Sequence, residues 1–228
     1  MKELQDKLHL PKLPYHIECF DNSNISGTDA VASCVVFKGM KPSKKDYKRF
    51  NIKTVEGPDD YASMKEVVGR RYRRMLDEEQ PLPDLIIADG GKGQMGIIRE
   101  VIQDELGLDI PIAGLAKDDR HRTNELLYGF PPIHVALKTD SELFHVLSQL
   151  QDEVHRFAIE FNRNKRSKRA LHSELDDIPC IGPKTRDGLR NGLKTVRAVR
   201  EANLETLTHL IGPSKAQIIY DHFHPEEQ

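Results

Sequence analysis

Two rhythms of apolar and polar residues run along the chain, one of period two and one of helical period, and they divide it into predicted strands and helices. A leader over 1–13, mixing charges with leucines and carrying Pro11, precedes a first strand at Tyr15–Asp21; Ala30–Phe37, with VASCVVF at its heart, reads as a second. Gly27–Thr28 supplies the turn between them. Tyr47–Val55 alternates through Phe50, Ile52 and Thr54 and completes a three-stranded meander. From Asp59–Asp60 to about Glu79 the spacing becomes helical, with Met64, Val67, Val68, Tyr72 and Met75 on one face and Pro81 and Pro83 as the stop. A strand at Leu85–Ala88, a helix through Met95, Ile98, Val101, Ile102 and Leu106, and a strand at Ile110–Leu115 follow. That spacing implies parallel pairing with the helix packed across the sheet. Residues 117–133 read as an irregular loop or short hairpin, and a long helix begins at Ser141.

Three meander strands, a helix, then alternating strands and helices is an order similar to that of the ribonuclease H-like nuclease fold. An α/β mixed sheet with helices on both faces is therefore expected over 14–164. Two acids stand where apolar strands run out, Asp21 after Ile17, Cys19 and Phe20, and Asp89 after Leu85–Ala88. His155 lies on the long helix beside an apolar face of Val154, Ala158, Ile159 and Phe161. The resemblance to that fold implies one carboxylate mid-sheet on the first strand, another at the end of the fourth and a third ligand on the last long helix, the places of these three residues. Hard divalent cations prefer oxygen ligands, so Asp21 and Asp89 are expected to hold Mg²⁺ or Mn²⁺, with Asp21 as the direct ligand. His155 is either a nitrogen ligand that favours Mn²⁺ or a base that orients water.

Composition narrows the class. Hydrophobic residues make up 38% and charged residues 31% of the chain, and no apolar run approaches the ~20 residues of a membrane helix. The N-terminus lacks the apolar core of a secretory signal, so a cytoplasmic protein without membrane association is expected. Cys19, Cys34 and Cys180 form no CxxC pair, which argues against a disulfide framework or a zinc site. The formal net charge of −2 does not suggest nucleic acid, but its distribution does. Arg163, Lys165, Arg166, Lys168 and Arg169 crowd one short run, with Arg156 just before, as phosphate binding requires. This run, over 165–171, reads as a basic linker to a second domain over 172–228.

Gly90-Gly91-Lys92-Gly93 after a strand lacks the Ser or Thr that a Walker loop needs, which leaves a nucleotide-binding reading distant. The glycines more naturally let backbone approach DNA while Lys92 meets a phosphate; Lys117, Arg120 and Arg122 would do likewise unless they form a solvated charged loop. From Leu171 onward, LDDIPCIGPK resembles the first hairpin of a tandem helix-hairpin-helix domain, and Leu210-Ile211-Gly212-Pro213-Ser214-Lys215 repeats it. Gly182 and Gly212 would expose backbone N–H groups to phosphate at the start of a helix, with Lys184, Arg186 and Lys215 adding charge.

The strings IECFDNSNISGTDAVAS, LIIADGGKGQ, GLAKDDRHRTNEL and QDEVHRFAIEFNRNKRSKR resemble the C-terminal half of the UvrC family, the nuclease subunits of bacterial nucleotide excision repair, over roughly residues 12–226. The resemblance implies a metal-dependent endonuclease that cuts damaged double-stranded DNA, or a bubble or nicked duplex, 5′ to the lesion. It also implies a UvrB partner reached through an N-terminal half whose GIY-YIG nuclease domain, cysteine cluster and helical hairpin do not appear in this sequence, so a fragment without the 3′ incision is expected. Asp60 joins the catalytic candidates because the family associates an acid in the GPDDYASM string with activity; an N-terminal helix carboxylate favoured by the dipole is the other reading. The family hairpin reads Pro-Gly-Ile-Gly, whereas this chain has Cys180 and Leu210 at the first glycine, where a β-carbon hinders positive φ. The rival from another class is a non-enzymatic, structure-specific DNA-binding scaffold with the same fold.

Overall fold

β1 (His16–Ser23) and β2 (Val31–Lys38) pair antiparallel, and β1 also pairs in parallel with β5 (Leu85–Asp89), which puts the first strand near the middle of an eight-stranded sheet. The computed structural model describes residues 1–23, 31–55, 57–117, 123–176 and 178–224, with the side chains of 23, 117, 123–124, 164–173 and 176 outside the description. The expected turn at Gly27–Thr28, together with Arg120 and Arg122, lies outside the described residues. β3 (Lys41–Pro42) and β4 (Lys48–Asn51) share the outer side of β2, with a 3₁₀ turn at Lys44–Asp46 between them. On the other side β5 pairs in parallel with β6 (Ile112–Lys117), and β7 (Thr123–Tyr128) and β8 (Ile133–Val135) extend the sheet antiparallel. The stretch expected as a loop or short hairpin thus contains β7 and runs into β8, an antiparallel hairpin at that end of the sheet.

Strand alternation sorts the core onto two faces. Phe20, Ile86 and Ala88 point to one side, where α2 (Asp60–Asp77) and α3 (Lys92–Arg99) bury Met64, Val68, Tyr72, Met95 and Ile98 against them. α3 runs on into a π-helical turn at Glu100–Glu105. Ile17, Cys19, Leu85 and Ile87 point to the other side, beneath Leu143, Leu147, Leu150 and Val154 of α4 (Glu142–Asp176). The leader is part of this second layer: α1 (Lys2–Leu8) places Leu4 and Leu8 one turn apart, and with Leu10 they are buried in the same cluster.

The third strand of the meander stops at Asn51, short of the expected Val55, because the next backbone donors find another acceptor. Lys53 and Thr54 N–H groups donate to the Glu66 carboxylate of α2 at 2.9–3.1 Å. Deeper under the sheet, Glu18 is fully buried and accepts from Arg71 Nε at 3.0 Å, Arg71 Nη2 at 2.5 Å and the Tyr72 hydroxyl at 2.9 Å, with His16 Nε2 at 3.1 Å from the same carboxylate. A buried carboxylate persists only when so provided, and this one pins α2 to β1.

The basic run expected as a linker over 165–171 is helical backbone within the 35-residue α4. The chain divides into compact units at Met1–Asn162 and Arg163–Gln228, so α4 contributes to both. The second unit holds α5 (Pro183–Leu193), α6 (Val196–Glu201), α7 (Leu204–Ile211) and α8 (Pro213–Phe223) around Leu175, Ile178, Ile181, Leu189, Val199, Leu207 and Ile219. Proline stands at the start of α5 and α8, where a missing N–H costs nothing, and Thr195 and Asn203 side chains cap α6 and α7. Among the described residues, no helix is long and apolar enough to cross a membrane.

Candidate metal centre

Asp21 and Asp89 stand side by side on the α4 face of the sheet. The parallel register pairs Phe20 with Ala88, so the next residue on each strand is one of the two acids, and each falls on the face that Cys19 and Ile87 share. Leucines and valine on one stripe of α4 hold that helix across the strands. One turn apart on it, Gln151 and His155 look down at the acids. His155 Nδ1 is 3.4 Å from Asp21 Oδ2, and Gln151 Nε2 donates to Asp89 Oδ1 at 2.5 Å and to the Leu115 carbonyl at 3.1 Å. Asp21 is buried, Asp89 half-buried and His155 exposed, and their ligand atoms all lie within 4.8 Å of one another. Oxygen ligands of Mg²⁺ sit about 2.1 Å from the ion, hence at most about 4.2 Å apart, a span of the same order as that of this cluster. Two carboxylate oxygens and one imidazole nitrogen are a donor set that suits a divalent cation and leaves part of its shell to substrate or water.

Asp60 does not belong to that trio, which is the group that could hold an ion among the described residues. It is the first residue of α2 and exposed, while its neighbour Asp59 is the actual cap, accepting from the Ala62 N–H at 2.9 Å. The Asp60 carbonyl is nonetheless tied to the centre, because Asn22, next to Asp21, donates to it from Nδ2 at 2.6 Å. Lys92 is exposed at the start of α3, just beyond Asp89. The glycines around it do not supply left-handed backbone, since none of Gly90, Gly91 and Gly93 has positive φ. They supply room: a Cβ on Gly90 would meet Gln94 Cγ at 2.8 Å, and one on Gly93 would meet the Tyr61 hydroxyl at 2.5 Å.

A family model described as the UvrC RNAse H endonuclease domain matches residues 5–159. The chain belongs to the UvrC family. A second model, a SAM-like helix-hairpin-helix tandem, matches residues 173–224. The UvrABC system protein C of Bacteroides thetaiotaomicron is 63% identical over 219 residues, which is 96% of this chain and 36% of that relative. The protein of the same description from Streptococcus uberis is 54% identical over 211 residues, 92% of this chain and again 36% of the relative. The chain therefore spans about a third of the length of these relatives. Human endonuclease V aligns over 67% of this chain and 86% of its own, with a TM-score of 0.38 and 12% identity.

In this UvrC-family chain the two hairpins differ in how they turn. Cys180 takes the left-handed conformation itself, at φ 65°, so the β-carbon that stands where the family has glycine does not prevent the turn. In the second copy Leu210 stays helical within α7, and the residue with positive φ is Gly212 at φ 82°. Moving the turn by two residues spares leucine the strain. Arg186 forks onto the Ile181 carbonyl with Nε at 3.1 Å and Nη2 at 3.0 Å, and Lys215 Nζ donates to the Cys180 carbonyl at 2.7 Å. Two of the three hairpin cations expected to serve phosphate, Arg186 and Lys215, thus brace the first turn, whereas Gly182 and Lys184 are exposed at the start of α5.

Of the remaining cations, Arg156 is held by Glu153 at 2.7 and 2.9 Å and by Glu160 at 3.1 Å, and Arg163 is exposed. The side chains of Lys117, Lys165, Arg166, Lys168 and Arg169 lie outside the described residues. Sequence reasoning passed over Gln151 and Ser33. Ser33, paired with Asp21 across the strands and fully buried, donates from Oγ to the Val154 carbonyl at 3.2 Å and so fixes the helix beside His155. The spacing of Gln151 one turn before His155 was the available signal.

Proposed function

We propose that this chain is the part of a UvrC protein that hydrolyses a DNA phosphodiester in nucleotide excision repair, with Mg²⁺ or Mn²⁺ held by Asp21, Asp89 and His155. The observation that carries the reading is the meeting of these three side chains, from two adjacent strands and a helix, within 4.8 Å. When bound, a divalent ion neutralises the crowded phosphate, lowers the pKa of a water that becomes the nucleophile and supports the leaving oxygen. The chain's own groups do the rest. Gln151 orients the Asp89 carboxylate, Ser33 ties the α4 backbone to the sheet beside His155, Asn22 ties the start of α2 to β1 next to Asp21, and Asp60 stands at the rim through the Asn22 contact. The side of the cut, 5′ to the lesion, and recruitment through UvrB follow from the family resemblance and belong to the same proposal. Damaged, bubble or nicked duplex is the expected substrate.

A bubble duplex incubated with the chain should be cut in Mg²⁺ or Mn²⁺ and left intact in a chelator. Tight binding without a cut at any metal concentration would leave the non-enzymatic scaffold reading in its place. The hairpin unit should bind phosphate without reading bases. Because Lys215 braces Cys180 while Lys184 is exposed, Lys184→Ala should weaken DNA binding and lower the salt slope by about one, whereas Lys215→Ala should act mainly on the stability of the hairpin. Affinity measured at several salt concentrations checks this; equal slopes for wild type and Lys184→Ala would contradict it.

A further inference from the structure

Single apolar residues at a surface need no explanation, but the position of Tyr61 invites one. It follows Asp60 at the start of α2, and it is 53% exposed. The Asn22 amide ties that start of α2 to β1, one residue beyond Asp21. On its other side the ring lies against Gly93, where a Cβ would come within 2.5 Å of the hydroxyl and 2.8 Å of Cε1. Gly93 is the second residue of α3, just past Asp89, and exposed Lys92 precedes it. The ring therefore rests by its edge on the glycine that follows Asp89, on a helix start that is tied to the strand of Asp21, and the residue is half exposed to solvent.

We propose that Tyr61 is a stacking platform for an unstacked nucleobase of the strand whose phosphate is cut at Asp21, Asp89 and His155, with Gly93 giving the clearance that seats the ring. The proposal rests on the nuclease reading above. Phosphate contacts such as one from Lys92 hold any strand equally, whereas an aromatic face captures only a base that has left the helix stack. Every base has a π-face, so the platform selects strand state and not sequence. It would favour a bubble over closed duplex.

The test compares wild type with Tyr61→Phe, Tyr61→Ala and Gly93→Ala on a bubble duplex carrying 2-aminopurine beside the cut phosphate. Tyr61→Ala should raise KM about fivefold to 150-fold, the range of one base stacked on one ring. It should leave kcat within about twofold, and it should lose both the fluorescence change on binding and the preference for bubble over closed duplex. Tyr61→Phe should keep all of these, since stacking needs no hydroxyl. Gly93→Ala, which unseats the ring, should follow Tyr61→Ala, and melting temperatures should agree across the set because the ring is half exposed. Wild-type KM and fluorescence in Tyr61→Ala would overturn the platform. So would a loss in Tyr61→Phe equal to that in Tyr61→Ala, which would make the hydroxyl a tie between α2 and α3. If wild type binds the probe but cuts under no metal, the nuclease reading fails by itself, and the fluorescence comparison still decides the platform.

Discussion

Asp21→Asn and Asp89→Asn should each cost on the order of 10³-fold or more in incision rate while leaving DNA affinity nearly unchanged. Both changes keep the size of the side chain, and the Gln151 amide can donate to an asparagine oxygen as it does to Asp89 Oδ1. Only the negative charge is removed. Carboxylates hold a divalent ion because they are ionised, and the ion's charge stabilisation of the transition state amounts to several kcal/mol, a factor that each 1.4 kcal/mol multiplies about tenfold. In the proposed function affinity is supplied by cations and backbone amides elsewhere, so it should survive. Single-turnover cutting across a Mn²⁺ titration measures this, and near-normal rates in either variant would remove the metal centre from the account. His155→Ala belongs to the same series and should lose activity; partial recovery in His155→Asp would mark the residue as a ligand, because it restores an oxygen donor.

The second large effect is expected on stability. Arg71→Ala strands the fully buried Glu18 carboxylate, and breaking a buried pair by removing one partner costs about 3–5 kcal/mol. The Tyr72 hydroxyl and His16 cannot replace a guanidinium that binds both oxygens. Glu18→Leu combined with Arg71→Met should recover most of the loss, since the pair need not be more stable than a packed apolar core. Burial alone would raise the Glu18 pKa, but hydrogen bonds from His16 and Arg71 outweigh it and hold the group at about 2, below its ordinary 4.5. The sign follows from a depressed folded-state value. Glu18 stabilises the fold fully above about pH 4.5, and that contribution is lost as the pH falls through about 2. Chemical denaturation at pH 7 and at a series of pH values from about 4.5 down towards 2 reads both effects; an Arg71→Ala variant as stable as wild type would show that the pair does not pin α2.

How far the sequence discloses this architecture depends on the element. The buried strands β1, β2 and β5 are legible because an apolar run of that length, ended by a polar residue, has few other ways to fold. The two acids are legible for the same reason, as the residues at which those runs stop. His155 is not, for a histidine on a helix beside an apolar face is an ordinary thing, and the resemblance to a nuclease fold is what singles it out. Gln151 offers only its spacing one turn before His155 as a signal, since a glutamine on a helix carries no chemistry until its partner Asp89 is placed beneath it. α1 hides its Leu4 and Leu8 among four charged neighbours and a glutamine in a helix too short for its period to stand out. The end of β4 is set by Glu66, a tertiary acceptor from another element that local pattern cannot reveal. At the hairpins the sequence shows the missing glycines but not the outcome, because Cys180 adopts the left-handed backbone and the second turn shifts to Gly212.

An anomalous-scattering map from Mn²⁺-soaked crystals of the chain tests the central claim most directly. A strong peak within bonding distance of Asp21, Asp89 and His155, lost in Asp21→Asn crystals, is the predicted result. Mn²⁺ bound elsewhere, or no peak at these side chains at concentrations that support cutting, would contradict it.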